Sequence, residues 1–271
     1  RLATQPMRRG ALTIVFNGEI YNFVELRQEL RDLGYEFSTR GDTEVLLVMW
    51  QHYGVDCLPR LRGMFAFLLH DRRDDSLWAV RDALGIKPLY YTERCGSHYF
   101  ASEIRAFHQA AVLPRRLHEG AALASMCGAA HRFAERNTLY EGIEELPGGH
   151  WLRLDRDGSR TARWFQLPPL TAELTRDKDC AVLLEGIDES VGVHVRASRR
   201  IATCLSGGLD SSVIVSLLNR RGVDCSAFTI HTATAADAEI GLAQDLISTT
   251  SLPHRIVTHN GEIPPRDVLE M

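Results

Sequence analysis

The stretch CLSGGLDSS, from Cys204 to Ser212, decides the fold of the C-terminal part of this 271-residue chain. It follows the strand-like run 201–205 and precedes a segment with helical spacing, 211–220. A second strand-like run, 227–230, comes next. A strand, a glycine loop, a helix and a second strand form a βαβ unit, so this part is predicted to be a parallel α/β domain.

The residue types of this loop indicate what it can hold. The N–H groups at the start of a helix lack partners, and the helix dipole attracts anions there. Gly207 and Gly208 let the backbone approach an anion closely. Hydroxyl donors stand at Ser206, Ser211 and Ser212. Asp210 would repel a bare phosphate, which favours a bridging metal ion. The loop lacks the GxxxxGK[ST] pattern of a Walker A motif.

Residues 11–165 contain mostly short β-rich runs separated by turn signals, with two helices among them. The first helix is predicted over 23–33, with Asn22 as its cap and Gly34 after its end. The second helix is predicted over 45–53, started by Asp42 or Thr43. This pattern favours an α+β sandwich of sheets and helices.

Several motifs carry a resemblance to known families. The segment SGGLDSS resembles the pyrophosphate loop of the ATP pyrophosphatases, and its Leu-Asp-Ser-Ser form is most similar to the asparagine synthetases that use glutamine. The segment Phe16–Asn22 resembles the NGEIYN signature of class II glutamine amidotransferases. Further motifs of the same proteins follow in the family's order, at Arg40–Val45, Arg81–Tyr91, Phe100–Ile104 and Pro147–His150.

The resemblance implies two domains. Residues 1–165 would form an N-terminal-nucleophile sandwich, with two antiparallel sheets between helices. Residues 166–176 would be a linker, since Pro168 and Pro169 do not fit the interior of a regular element. Residues 177–271 would be the first part of an α/β parallel-sheet ATP-pyrophosphatase (synthetase) domain, which is apparently incomplete.

The resemblance also implies the roles of glutaminase residues. The Asn17 side chain and the Gly18 N–H would form the oxyanion hole. Glu19 and Asp42 would hold the amino group of glutamine. Arg1, as the arginine of the family's Arg-Leu-(Ser/Ala) segment, would pair with the glutamine carboxylate.

In the second domain the resemblance implies binding of ATP with Mg²⁺. The phosphates would bind at the loop, with Asp210 reaching the metal. The adenine would lie between Leu205 and Ile230. The implied reaction is amidation of a carboxylic acid through an acyl-adenylate, most simply aspartate to asparagine, with AMP and pyrophosphate released. Glutamine, ATP and the acceptor acid would be the partners.

The sequence departs from this family at its start. The family's nucleophile is an N-terminal cysteine, but the six cysteines of this chain begin at Cys57, and none lies in a matching motif. Arg1-Leu2-Ala3 passes almost directly into Thr4, where the family has a further strand and loop. We expect that segments of the native chain are missing from this sequence; the alternative is a degenerate or engineered glutaminase.

Three other functions stay open from the sequence. The chain could act on a different acid in secondary metabolism. It could form a lactam or macrolactam with an inactive glutaminase half, although the NGEIYN run and Asp42 argue against this. It could also be a nucleotide-binding regulatory module without turnover, against which Asp210 and the Asn17-Gly18 pair argue.

Composition narrows the class of protein. Hydrophobic residues make up 45% of the chain, charged residues 24%, and the formal net charge is −4. These values are typical of a globular protein and indicate neither a nucleic-acid partner nor a membrane surface. Scattered cysteines without CxxC pairs predict reduced thiols and a cytoplasmic location. The sequence leaves a homodimer open.

Overall fold

The computed structural model describes residues 4–127, 138–169, 176–196, 201–232 and 237–259. The chain divides into two compact units, Arg1–Leu170 and Thr171–Met271. The division falls inside the segment that was predicted as a linker, 166–176. None of the helices in the described ranges combines the length and apolar character that a bilayer crossing requires.

The first unit contains two antiparallel sheets and several helices. Its strands are β1 Met7–Arg9, β2 Leu12–Ile20, β3 Gly63–Asp71, β4 Ser76–Arg81, β5 Tyr90–Arg94, β6 Ser97–Ala101, β7 Glu144–Glu145, β8 His150–Asp155 and β9 Gly158–Arg163. Its helices are α1 Phe23–Asp32, α2 Asp42–Tyr53, α3 Ile104–Gln109 and α4 Glu119–Met126, with a 3₁₀ helix at Gly54–Arg60.

Strand pairing defines the two sheets. The larger sheet has six strands in the order β1-β2-β3-β4-β8-β9, and the smaller has three in the order β6-β5-β7. Neighbours are antiparallel throughout both sheets. The two antiparallel sheets predicted for this unit are therefore present, and the hairpin predicted at Asp157-Gly158 joins β8 to β9.

The larger sheet is covered on both faces, as the alternation along β3 demonstrates. Phe65 and Phe67 belong to a core shared with α1 and α2. Ala66 and Leu68, which point the other way, pack with Tyr91 and other residues of the smaller sheet. The larger sheet is thus a middle layer, with helices α1 and α2 on one side and the second sheet on the other.

Helices α1 and α2 form where the sequence predicted them. Helix α2 contains the continuous apolar run 45–50, whose residues are all buried, and it ends before Gly54, which has φ +58°. Asn22 stands at the N-cap position of α1 but makes no capping bond with its side chain. Its amide instead donates to Arg60 O and accepts from Arg62 N. The prediction of a side-chain cap at Asn22 was wrong because this distant segment takes the amide.

The second unit has the element order that the sequence predicted. It consists of α5 Arg176–His194, β10 Ile201–Cys204, α6 Leu209–Arg220, β11 Cys225–Thr232, α7 Asp237–Ser248 and β12 His254–His259. The three strands are parallel in the order β10-β11-β12. A small core of Leu205, Val215, Ala227 and Ala243 joins the sheet to its helices. This sheet places the glycine loop at the carboxyl end of β10.

Candidate active sites

The end of β2 presents one backbone N–H at an open strand edge. Phe16 N donates to Gln5 Oε1 at 2.6 Å, and Ile20 N donates to Asp42 Oδ2 at 3.0 Å. Because backbone groups two residues apart point to the same edge of a strand, the N–H of Gly18 points to this edge as well. Gly18 N–H therefore lies between two side-chain acceptors, at the edge of β2 that faces away from β3.

The same position accepts only glycine. A Cβ on Gly18 would lie 2.2 Å from Met64 O and 2.6 Å from Phe65 Cα, both on the paired strand β3. These are backbone atoms that cannot move without breaking the ladder. The close approach of two strands explains why the asparagine of this motif is followed by glycine.

Asn17 and Glu19 project from the exposed face of β2. Asn17 Nδ2 donates to Ser102 Oγ at 3.1 Å, which brings together two motifs that are 85 residues apart. Burial raises the pKa of the nearby Tyr21 hydroxyl, and the negative charges of Glu19 and Asp82 raise it further. Arg1, predicted to bind the glutamine carboxylate, lies outside the described residues.

Glu44, in the first turn of α2, holds the chain that leads into this helix. Its carboxylate accepts from Ser38 N at 2.9 Å and from Thr39 N at 2.6 Å. Arg9 of β1 contacts the same carboxylate at 3.2 Å. Burial raises the pKa of Glu44, but hydrogen bonds from Ser38 and Thr39 and the charge of Arg9 outweigh it, so the pKa lies below its ordinary value.

Arg27 holds the same segment from α1. Its Nη1 donates to Thr39 O at 2.6 Å and its Nη2 donates to Gly41 O at 2.7 Å. The side chain is buried, and the desolvation lowers the pKa of Arg27. Arg27 and Glu44 together fix the residues immediately before Asp42.

Asp82, from the Arg81–Tyr91 motif, is an acceptor for four backbone N–H groups. Its Oδ1 accepts from Leu84 N at 3.1 Å and Ile86 N at 2.9 Å. Its Oδ2 accepts from Lys87 N at 2.9 Å and from Phe65 N at 3.1 Å. Since Phe65 pairs directly with Gly18, Asp82 connects the loop 83–87 to the strand behind the predicted oxyanion site.

Arg81 holds the other side of this loop. Its guanidinium donates at 2.7 Å to each of three carbonyl oxygens, those of Gly85, Lys87 and Leu146. It also forms a 2.7 Å ion pair with Glu145. Arg81 and Asp82 are thus used to shape the backbone of a loop, while Leu84 and Ile86 of that loop are exposed.

In the second unit, the glycine loop is closed by its own serines. Ser211 Oγ and Ser212 Oγ donate to Gly208 O at 3.1 and 2.7 Å. Ser206 N donates to Ser211 Oγ at 3.2 Å, and the two hydroxyls lie 3.1 Å apart. Gly207 adopts φ +77°, which favours glycine. Helix α6 begins at Leu209, so the loop delivers the N–H groups of its first turn to solvent.

Thr229 fixes the carboxyl end of β10 to its neighbours. Its buried hydroxyl donates to Leu205 O at 2.6 Å and lies 2.8 Å from His254 Nε2. The side chain of Leu205 is core, and its N–H donates to Phe228 O at 2.8 Å. Ile230, in contrast, exposes 68% of its surface near the end of β11. Of the two residues predicted to flank the adenine, Leu205 is therefore buried and Ile230 is exposed.

Asp210 lies exposed in the first turn of α6. Within the described ranges, no group of three or more His, Cys, Asp or Glu side chains is placed to bind a metal ion. A single carboxylate still fits Mg²⁺, which keeps several waters and binds proteins through one or two carboxylates together with substrate phosphates. The donor set therefore suits a metal that arrives with a nucleotide.

Sequence reasoning missed four residues that organise these sites, namely Arg27, Glu44, Asp82 and Thr229. Glu44 and Asp82 lie inside motifs that were identified, so their type and position were visible. Arg27 and Thr229 follow ordinary helix and strand patterns and give no such signal. Of the predicted residues, the structure brings Gly18 and Asp42 to one strand edge and Asn17 to Ser102.

Comparisons with known proteins give a match for each unit. Residues 1–165 match the glutamine amidotransferase domain family, and residues 183–269 match the asparagine synthase family. The chain is 34% identical to glutamine-hydrolysing asparagine synthetase 1 of Bacillus subtilis, over 86% of this chain and 36% of that protein. It is 30% identical to an amidase of Gibberella zeae, over 78% of this chain and 31% of that protein.

Among solved structures, the chain is similar to the allosteric regulatory enzyme of purine biosynthesis. The TM-score is 0.44 with 14% identity, over 93% of this chain and 62% of that chain. A likeness at this level carries no argument about function. The chain spans about a third of the length of the curated relatives that it matches.

Proposed function

Because this chain belongs to the glutamine amidotransferase domain family and carries a match to asparagine synthase in its second unit, we propose that it serves glutamine-dependent, ATP-driven amidation of a carboxylic acid. The first unit would release ammonia from glutamine. The second unit would activate the acceptor acid with ATP. The single observation that carries the proposal is the bond from Ile20 N to Asp42 Oδ2, which places Asp42 at the edge of β2 to which Gly18 N–H points.

In the first reaction, a nucleophile adds to the side-chain amide carbon of glutamine, and negative charge develops on the amide oxygen. Gly18 N–H and the Asn17 side-chain amide would donate to that oxygen. Asp42 and Glu19 would bind the amino group of glutamine, and Arg1 its carboxylate. Asn17 Nδ2 already donates to Ser102 Oγ, so Ser102 would orient this amide toward the oxyanion.

The second reaction would use the loop 206–212. The N–H groups of Gly207, Gly208 and the first turn of α6 would bind the β- and γ-phosphates of ATP. Mg²⁺ held by Asp210 and the phosphates would supply positive charge against the departing pyrophosphate. The hydroxyls of Ser211 and Ser212 now donate to Gly208 O and would turn toward phosphate oxygens when ATP binds.

The acceptor is proposed to be aspartate, activated as an acyl-adenylate with release of AMP and pyrophosphate. The name of the Bacillus subtilis relative supports aspartate as the acceptor. The amidase of Gibberella zeae supports a second candidate, amidation of a different acid, because it is 30% identical and has another name. The two candidates differ in the acid that consumes ATP.

The test uses the full-length protein that contains this chain, with glutamine, ATP and Mg²⁺ and a panel of carboxylic acids that includes aspartate. We expect AMP to form only when the acceptor acid is present, and glutamate to be released from glutamine. Nucleotide chromatography measures the AMP. Consumption of ATP with another acid but not with aspartate would favour the second candidate. ADP as the stoichiometric product would contradict the proposed use of the loop.

A matched pair of variants separates the two reactions. Asp210→Ala should abolish ATP-dependent ligation and leave glutamine hydrolysis largely intact, because the two sites lie in different units. Asp224→Ala, which removes another exposed aspartate of the second unit, should change neither. Unchanged ligation by the Asp210 variant would contradict the assigned role.

A further inference from the structure

The connection between α1 and α2, residues 33–41, contains no helix or strand, yet charged side chains hold its backbone. Two of its carbonyl oxygens, those of Thr39 and Gly41, accept from Arg27. Two of its N–H groups, those of Ser38 and Thr39, donate to Glu44. A third carbonyl, that of Glu36, accepts from Arg9 Nη2 at 3.0 Å, so backbone groups that would pair inside a helix or sheet are instead paired with charged side chains.

The burial of Arg27 is energetically costly. Only 8% of its surface is exposed, and its Nε is buried without a hydrogen-bond partner among the described residues. Desolvation lowers the pKa of Arg27, as does the charge of Arg31, while the negative charges of Glu44 and Asp42 act in the opposite direction. Apolar packing often stabilises a fold at least as well as a buried charge does. This cost indicates that Arg27 contributes geometry and not merely stability.

The contacts of Arg27 determine the position of Asp42. Arg27 Nη2 fixes the carbonyl of Gly41, which is the residue before Asp42 and the N-cap of α2. Asp42 then reaches across to Ile20 N, two residues along the strand from Gly18. A shift of the connection would move the Asp42 carboxylate relative to the β2 edge, although neither Arg27 nor Glu44 belongs to that edge.

We propose that Arg27 and Glu44 are positioning residues for glutamine binding, which fix the backbone of residues 38–41 and thereby hold Asp42 at the edge of β2. The inference rests on the proposed function, since Asp42 is there the ligand of the glutamine amino group. Arg27 and Glu44 act through this backbone, and neither is assigned a contact with substrate.

The test compares Arg27→Lys with Arg31→Lys in the full-length protein. Lysine keeps the charge but cannot reach both carbonyls with a planar fork. We expect Arg27→Lys to raise KM for glutamine by about tenfold, the size expected for losing one hydrogen bond from a charged group, with a much smaller change in kcat. The exposed Arg31, on the same helix, should tolerate lysine without a change in either constant.

Two further readouts keep the result unambiguous. Hydrogen exchange at the amides of Ser38 and Thr39 should accelerate in Glu44→Gln, and KM for glutamine should rise there as well. Ammonia-dependent synthesis should stay at the wild-type rate in both variants, which excludes an effect on the second unit, and a nearly unchanged kcat for glutamine hydrolysis excludes misfolding of the first. If the wild type hydrolyses glutamine and both variants keep its KM, the positioning role is wrong. If the wild type neither binds nor hydrolyses glutamine, the proposed function fails, and this inference fails with it.

Discussion

The two candidate sites are held by different kinds of contact. In the first unit, Asn17 bonds to Ser102 across 85 residues of sequence, and Ile20 bonds to Asp42 across 22. In the loop of the second unit, the serine bonds span five residues or fewer. The predicted glutaminase site is therefore a product of the assembled sheets, whereas the predicted nucleotide loop is largely a product of its own helix.

This difference predicts which substitutions disrupt each site. A loop closed by neighbours in sequence should keep its shape when single side chains or glycines change. A site assembled from distant strands should fail when one strand contact fails, even if no proposed ligand is touched. The variants below compare the two sites, beginning with the largest expected effect.

The strongest comparison is between two glycines. Gly18→Ala places a Cβ 2.2 Å from the backbone oxygen of Met64, so the β2–β3 ladder must open. We expect a loss of at least about 3 kcal/mol in the free energy of unfolding of the first unit, near the upper range for overpacking. Gly208→Ala meets only Ser206 Oγ, at 3.4 Å, and should cost less than about 1 kcal/mol in the second unit.

Urea denaturation of both variants measures the loss in the free energy of unfolding. Gly208→Ala should leave the stability of the first unit unchanged. Equal destabilisation by the two alanines would remove the distinction between the sites.

Next in size is the substitution Asp82→Asn. The amide has one oxygen where the carboxylate has two, so its NH₂ group would face backbone N–H donors of Leu84, Ile86, Lys87 or Phe65. We expect a loss of about 2–3 kcal/mol, because buried donors would lack acceptors. Asp32→Asn, at the exposed end of α1, is the control and should be near neutral. The comparison uses the urea midpoint of each variant, and a near-neutral Asp82→Asn would mean that the loop does not depend on this carboxylate.

Thr229→Val tests a long-range side-chain bond at the predicted nucleotide loop. Valine has the same shape but cannot donate to the buried carbonyl of Leu205. We expect a loss of about 1–2 kcal/mol in the second unit, the usual cost of a lost buried hydrogen bond. Thr249→Val is the control, because that hydroxyl is exposed. Thermal unfolding of the second unit can measure both, and an unaffected Thr229→Val would mean that this side-chain bond does not stabilise the site.

The smallest effect is a pH dependence in the first unit. The pKa of Glu44 in the folded chain lies below its ordinary value of 4.5. Its contribution to stability is therefore complete above that value and disappears as the pH falls through the lower, folded pKa. The stability difference between wild type and Glu44→Gln should be constant from neutral pH to about pH 5 and shrink on further acidification. Urea titrations at several pH values can check this, and a difference that grows toward acid would contradict the sign.

Much of the fold could be predicted because local sequence patterns specify its helices, strands and turns. The β-rich run of β3, the apolar run of α2 and the Asp157-Gly158 turn each specify an element from neighbouring residues. The predicted βαβ order of the second unit is confirmed for the same reason. The roles given to Asn17, Gly18, Glu19, Asp42 and Asp210 remain predictions.

The residues that support the sites were harder to predict from the sequence. Arg27 lies on an amphipathic helix, and nothing in its spacing reveals that its fork reaches Thr39 and Gly41. Asn22 had the right type for a helix cap, but its amide binds Arg60 and Arg62 instead. In both cases the partner depends on how two distant segments are brought together.

The sequence by itself determined the glycine loop and helix of residues 206–220, because their hydrogen bonds join residues within a few positions of one another. Only the tertiary structure decided that Gly18 N–H stands at an open edge beside Asp42, and that Asp82 supports the strand behind it. Those contacts depend on the register between β2 and β3 and on the packing of α1 and α2, which no short stretch of residues specifies alone.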